Sequence, residues 1–311
     1  MAFVSRSVSA DEVVLARLRK KRFDLKGRLF EYTLLGALIV SLLFLAILLL
    51  EVAQQGISVF QERPLDFLRG RLSVVTAMTA GVGQAIQGSL LVALVVVVVA
   101  FPLGIGAAIY LEEYAPDTRV TRFITVNIRN LAGVPSIVYG LLGLVIFVQL
   151  MPAFTGGKSA LTGGLTLAVL VLPIVIITTA EALRAVPDSI REAGIGVGAT
   201  KWEVTRSHVL PAATPGILTG TILALSRAIG ETAPLLIVGA TTGFLATSAE
   251  NPIEQLRGAY TTLPTVVFRW SSLPSSDFRA LTSAAILVLL AMTLTANAIA
   301  IYFRNRYERK W

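Results

Sequence analysis

The sequence predicts an all-α membrane protein with six transmembrane helices and both termini on the cytoplasmic side. Three observations carry that prediction. Hydrophobic residues fill 55% of the 311 positions against 15% charged, and the mean hydropathy is +0.75, more apolar sequence than a soluble core of this size uses. Six stretches approach the ~20 residues that cross a hydrocarbon core about 30 Å thick. Lys and Arg concentrate in alternate connections, 19 on the side shared by the two termini against 7 on the other, and this asymmetry sets the orientation.

The elements follow in order. Residues 1–31 form a charged cytoplasmic segment, with Val13, Val14, Leu15 and Leu18 at near-helical spacing before a cluster of Arg and Lys; this reads as a membrane-surface helix or a basic tail. The first span, 32–50, is followed by Glu51-Val52-Ala53-Gln54-Gln55 without a small-residue cleavage pattern, so it reads as a retained helix and not a signal peptide. Residues 32–86 are then a peripheral first helix with an external loop, and 87–303 are the core. Its spans are 89–111, 131–151, 163–180, 217–240 and 281–303, and 304–311 form a cytoplasmic tail.

Two connections within the core stand out. Residues 182–214 are the long cytoplasmic one, rich in Glu, Arg, Gly and Thr, and this composition reads as folded. External residues 242–280 contain Pro252, Pro264 and Pro274 with Tyr260 and Trp270. They predict short interfacial structure that caps the helices or meets an external partner.

Several function classes are excluded. The net charge of +8 sits beside the spans on one face, where anionic lipid accounts for it without nucleic acid. There is no cysteine and only one histidine, His208, so no metal site is expected. Gly157-Lys158-Ser159 lacks the first glycine of a phosphate loop, and Gly194–Ala199 fits a dinucleotide pattern without the strand it requires. Gly216-Ile217-Leu218-Thr219-Gly220 is a small-residue helix-packing pattern.

The fifth span carries Arg227 and Glu231, four residues apart and hence on one helical face. A charge near the bilayer centre costs about 2.5–3.5 kcal/mol and marks a protein interior or a water-filled route. The pair is either a self-neutralising buried contact or part of an ion path. Arg227 lies ten residues into the span, about 15 Å along the helix, and its planar fork suits bidentate binding of an oxyanion. Glu231 orients the guanidinium or carries a proton. Thr232 and Ser226 add hydroxyl donors, and Pro234 frees a backbone carbonyl, which a helix lining a cavity tolerates.

The cytoplasmic stretch Arg191–Trp202, followed by Val209-Leu210-Pro211, predicts a short amphipathic helix with an acidic residue at its start and a glycine bend, suited to docking in a partner's groove. It resembles the signature of permeases of ATP-driven importers, which read E-A-A, three residues, G, nine residues, I, one residue, L-P. Glu192, Ala193, Gly198, Leu210 and Pro211 match at that spacing. Gly194 replaces the second alanine and His208 the isoleucine. The stretches Asn130–Leu141 and Arg227–Leu236 are together similar to the permeases of inorganic phosphate importers, PstA-type more than PstC-type.

That resemblance implies a type I ABC importer permease of MetI-like fold in the bacterial plasma membrane. It implies Arg227, Glu231, Thr232 and Ser136 along the substrate path, and Glu192, Ala193, Gly194 and Gly198 in the segment coupled to the ATPase. The implied partners are a second permease (PstC-type), a cytoplasmic ATPase dimer (PstB-type) holding ATP and magnesium, and an external phosphate-binding protein (PstS-type). No catalytic residue and no cofactor are expected in this chain. A permease for sulfate or molybdate remains open, as does an ion-coupled transporter that uses Glu231 as its proton site. An intramembrane enzyme does not fit, because Ser136 and Ser226 lack a histidine partner.

Overall fold

The computed structural model describes residues 25–241 and 252–307, and among these every regular element is helical. Expectations for residues 1–24, 242–251 and 308–311 lie outside the described residues. The chain divides into two compact units, residues 1–51 and 52–311. In the first, helix α1 (Leu25–Glu62) shows exposed apolar side chains around its whole circumference as far as residue 50, the pattern of a helix that faces lipid.

The second unit opens on the last turns of α1, where Gly56 and Val59 are buried. The helix thus runs on through residues expected to form an external linker. A short α2 (Pro64–Arg69) leads to α3 (Gly83–Ile109), which ends in a π-helical turn, Tyr110–Tyr114. Helix α4 (Arg119–Ala132) is followed by α5 (Ser136–Gly143), whose π-helical extension Leu144–Leu150 leads to α6 (Pro152–Thr155). Helix α7 (Ala160–Arg184) enters the cytoplasmic connection, where α8 (Asp188–Gly196) and α9 (Lys201–Val204) lie. A π turn, Thr205–Val209, joins α9 to α10 (Leu210–Gly230). Helices α11 (Ala233–Ile237), α12 (Pro252–Arg257), α13 (Leu263–Ser271) and α14 (Ser276–Tyr307) complete the described chain.

Among the described residues five helices are long and apolar enough to cross a membrane, and six when a bent pair is taken as one broken span: α4 meets the 136–150 helix at 102°. The expected continuous span 131–151 is therefore corrected. Pro135 disfavours helical backbone at Val134, so the helix stops at Gly133 and restarts at Ser136. The break is sealed across itself, since the Tyr139 hydroxyl donates to the Leu131 carbonyl at 2.8 Å. Side chains commonly satisfy backbone groups freed at membrane depth in this way.

The fifth span is corrected as well. Instead of running over 217–240, the helix starts earlier and stops at Gly230, with Glu231 extended (ψ 132°). Pro234 explains the stop, because it has no N–H for the Gly230 carbonyl and its ring collides with that group.

Helix α7 is the central element. It packs on α3 through Val92, Val96, Leu167, Val171 and Val175, which are buried together. A second apolar cluster at the external end joins Phe67, Leu72 and Val82 to Leu263, Trp270 and Phe278. Trp270 Nε1 donates to the Ser73 carbonyl at 2.9 Å. The described part of the external segment is thus a folded cap on the helices.

Candidate functional site

Depth in the bundle follows from close contacts along α7. Gly216 lies against Ala182 and Gly220 against Thr178, leaving no room for a β-carbon, so α10 runs antiparallel to α7 in fixed register. Seven residues past Gly220, about 10 Å on, Arg227 is level with Val171. That is the middle of Ala160–Arg184. Gly143 lies against Thr166, and the same step back along α5 brings Ser136 level with Pro173. Two path candidates from different helices therefore share the mid-depth plane.

The structure joins the others to them. Arg227 Nε donates to Glu231 Oε1 at 3.3 Å; the arginine side chain is 47% exposed and the glutamate 16%. The contact holds although Glu231 lies past the helix end, since one extended residue keeps the carboxylate beside the last turn. That turn also suits Arg227, because helix C-termini favour cations. Tyr139, one turn beyond Ser136, lies within electrostatic reach of Arg227. Gly140 abuts the Cα of Pro234, so α5 rests on the chain just past the pair. Thr232 is half-buried at the start of α11, and its hydroxyl does not cap that helix. Ser226 is committed elsewhere: its Oγ bonds the Ile222 carbonyl and lies 2.5 Å from Asn297 Oδ1 on α14.

The cytoplasmic segment is built by local chemistry. Helix α8 begins at Asp188, so Glu192 stands one turn in and not at the start as expected; Pro187 sets the boundary. Gly198 has φ +86°, the left-handed region where a β-carbon collides with the backbone, and it reverses the chain. Thr200 and Glu203 then form a reciprocal capping box that starts α9. Gly194 faces Val204, and a β-carbon there would lie 2.5 Å from Cγ2. The departure from the E-A-A pattern is thus explained by contact between α8 and α9. His208, the second departure, is exposed, so no packing is lost. At the tip, Ile195, Val197 and Trp202 are 57%, 85% and 53% exposed, and Glu192 and Ala193 are exposed beside them.

Sequence reasoning missed what holds this segment. Arg191 Nη2 donates to Glu113 Oε1 at 2.7 Å, and Glu113 is only 4% exposed. The bond to Glu113 pushes the Arg191 guanidinium further above its ordinary value. Arg184 pairs with Glu112 alongside, one bond running from Nε at 2.8 Å. The available signal was Glu112-Glu113, an acidic pair directly after an apolar span on the basic side of the membrane.

A multi-pass helical core with an exposed, folded tip between two spans and an ion-paired arginine at mid-depth has the form of a membrane transport subunit. The chain belongs to the family of binding-protein-dependent transport system inner membrane components, whose family model matches residues 100–309. It is 38% identical over 239 residues to the phosphate transport system permease protein PstA of Yersinia pestis, covering 74% of this chain and 76% of that one. To PstA 1 of Mycobacterium tuberculosis strain H37Rv it is 34% identical over 232 residues, with 74% and 72% covered. The fold matches a bacterial ABC transporter involved in alginate import (TM-score 0.63, 14% identity, 92% of this chain and 98% of that one). It also matches the MetNI methionine ABC transporter in an inward-facing conformation (TM-score 0.55, 15% identity, 74% and 95% covered).

Proposed function

We propose that the chain is the permease subunit of an ATP-driven importer and moves inorganic phosphate inward. The carrying observation is Arg227, fixed by Glu231 at the middle of the bundle and half open on the surface of the isolated chain. An arginine held there offers two parallel donors to a tetrahedral oxyanion, and phosphate is the cargo named for its PstA relatives. Ser136 and Thr232 add hydroxyl donors at the same depth, and a second permease of PstC type completes the path on the open side.

The exposed tip at Ile195, Val197 and Trp202 supports docking of a PstB-type ATPase, which supplies the ATP and magnesium; this chain contributes no catalytic residue. Nucleotide-driven movement of the tip turns the cavity outward to receive phosphate from a PstS-type binding protein, and hydrolysis returns it inward. The test is to purify the chain with its neighbours, reconstitute it, and ask which oxyanion stimulates ATP hydrolysis. Stimulation by phosphate that Arg227→Ala removes is the expected result. Stimulation by sulfate alone overturns the substrate, and uptake by the isolated chain under a proton gradient overturns the mechanism.

A further inference from the structure

Helix α8 buries none of its side chains fully, and Ile190 packs only in part against the apolar cluster of Leu183 and Val209, so apolar packing alone does not lock α8 onto the spans. One guanidinium does. Arg191 donates to Glu113 on the π-helical end of α3, with Nη2 at 2.7 Å and Nε at 3.3 Å. It also donates to the Leu183 carbonyl in the last turn of α7 at 2.9 Å, and to the Val186 carbonyl just past it at 2.8 Å. Its remaining bond, 3.2 Å to Asp188 Oδ1, stays within α8. A single side chain thus fastens the docking helix to two spans at once. Beside it a cavity of about 420 Å³, bordered by Glu113, Ile195 and Lys201, leaves α8 room to move.

We propose that the Glu113–Arg191 pair is the joint that transmits α8 displacement to α3 and α7, a positioning pair without which ATP hydrolysis continues but no longer drives transport. This rests on the reading of α8 as the ATPase-docking segment. A purely structural role is the competing account, since removing one partner of a buried ion pair ordinarily destabilises a protein. The adjacent Arg184–Glu112 pair separates the two. It ties α7 to α3 without touching α8, and the buried valines between those helices hold them together. Loss of Glu113 or Arg191 therefore loosens α8, which keeps its contacts through Ile190 and Gly194, while the bundle stays assembled.

The experiment uses the whole complex in proteoliposomes, with ATP hydrolysis and phosphate uptake measured in the same vesicles. Glu113→Gln keeps shape and an acceptor oxygen but removes the charge; Arg191→Lys keeps the charge but removes the fork. Both are expected to hydrolyse ATP within about twofold of the unaltered complex, with phosphate moved per ATP lower by about fivefold or more. Glu112→Gln leaves that ratio unchanged. An unchanged ratio in both test variants overturns the proposal. So does a parallel fall of hydrolysis and uptake, or a complex that no longer assembles, because each shows the pair to be structural. Cross-linking from Ile195→Cys to the ATPase tests the docking reading separately: its absence in the otherwise unaltered complex refutes that reading first.

Discussion

Restoring the family's alanine at position 194 is expected to harm this protein. An alanine β-carbon there would sit 2.5 Å from Val204 Cγ2 and 3.0 Å from Cγ1, against the 3.5–4.0 Å of an ordinary carbon contact. The surfaces must part by about 1 Å. Val204 cannot simply turn away, being 4% exposed in a packed cluster and stiff at χ1. Overpacking of this kind costs about 1–3 kcal/mol, while exchanging glycine for alanine within a helix returns about 0.8–1.0 kcal/mol. The net is a loss of up to about 2 kcal/mol. Val204→Ala removes both methyls and costs about 2 kcal/mol alone. In that background the closest remaining atom is the β-carbon of residue 204 at 3.3 Å, which gives way by a few tenths of an ångström, and Gly194→Ala becomes stabilising by less than about 1 kcal/mol. The sign change is the diagnostic: melting midpoints of the purified complex should fall with Gly194→Ala alone and rise when it is added to Val204→Ala. A higher midpoint for the single variant, or strict additivity across the cycle, would refute the close-contact reasoning.

Three further outcomes can be measured. Arg227→Ala leaves the complex assembled but lowers phosphate uptake by about tenfold or more, as expected for losing a charge-assisted contact of about 1.5–3 kcal/mol; Arg227→Lys restores part of it, lacking the fork. Gly198→Ala places a β-carbon at φ +86°, costs about 1–2 kcal/mol and loosens the turn, read as weaker ATPase co-purification at unchanged membrane abundance. Trp202→Ala and Ile195→Asp, both at exposed positions of the tip, weaken ATPase co-purification without moving the melting midpoint of the isolated chain.

The apolar spans and the place of Arg227 among them were legible in the sequence because each depends on local composition. Helix ends were not. Pro102, Pro173 and Pro215 lie inside continuous helices, whereas Pro135 and Pro234 mark breaks. Hydropathy does not distinguish them. The two breaking prolines each follow a glycine by at most four residues, Gly133 and Gly230, where the chain yields most easily. The Glu113–Arg191 pair was invisible for another reason. Its partners are 78 residues apart, and each by itself looks like an ordinary charge at a membrane boundary. Long-range ion pairs have no period to detect, so only the acidic doublet hinted at a partner.

These corrections alter how the two functional regions are connected. With the fifth span taken as 217–240, the docking segment and Arg227 belonged to separate elements joined by a loop. The structure instead runs helically from Lys201 to Gly230, with a single π turn at Thr205–Val209. Arg227 lies 26 residues from Lys201, about 39 Å at helical rise. The α9 end that contacts α8 through Gly194 is thus one end of the rod whose other end holds the arginine. Contact with α7 through Gly216 and Gly220 lets the backbones approach closely and keeps the two helices in register. Movement of the tip then has two routes into the membrane: along this rod to Arg227, and through Arg191 to α3 and α7. On the proposed mechanism the first displaces the cation and the second the walls around it, so loss of either route is expected to lower the phosphate moved per ATP.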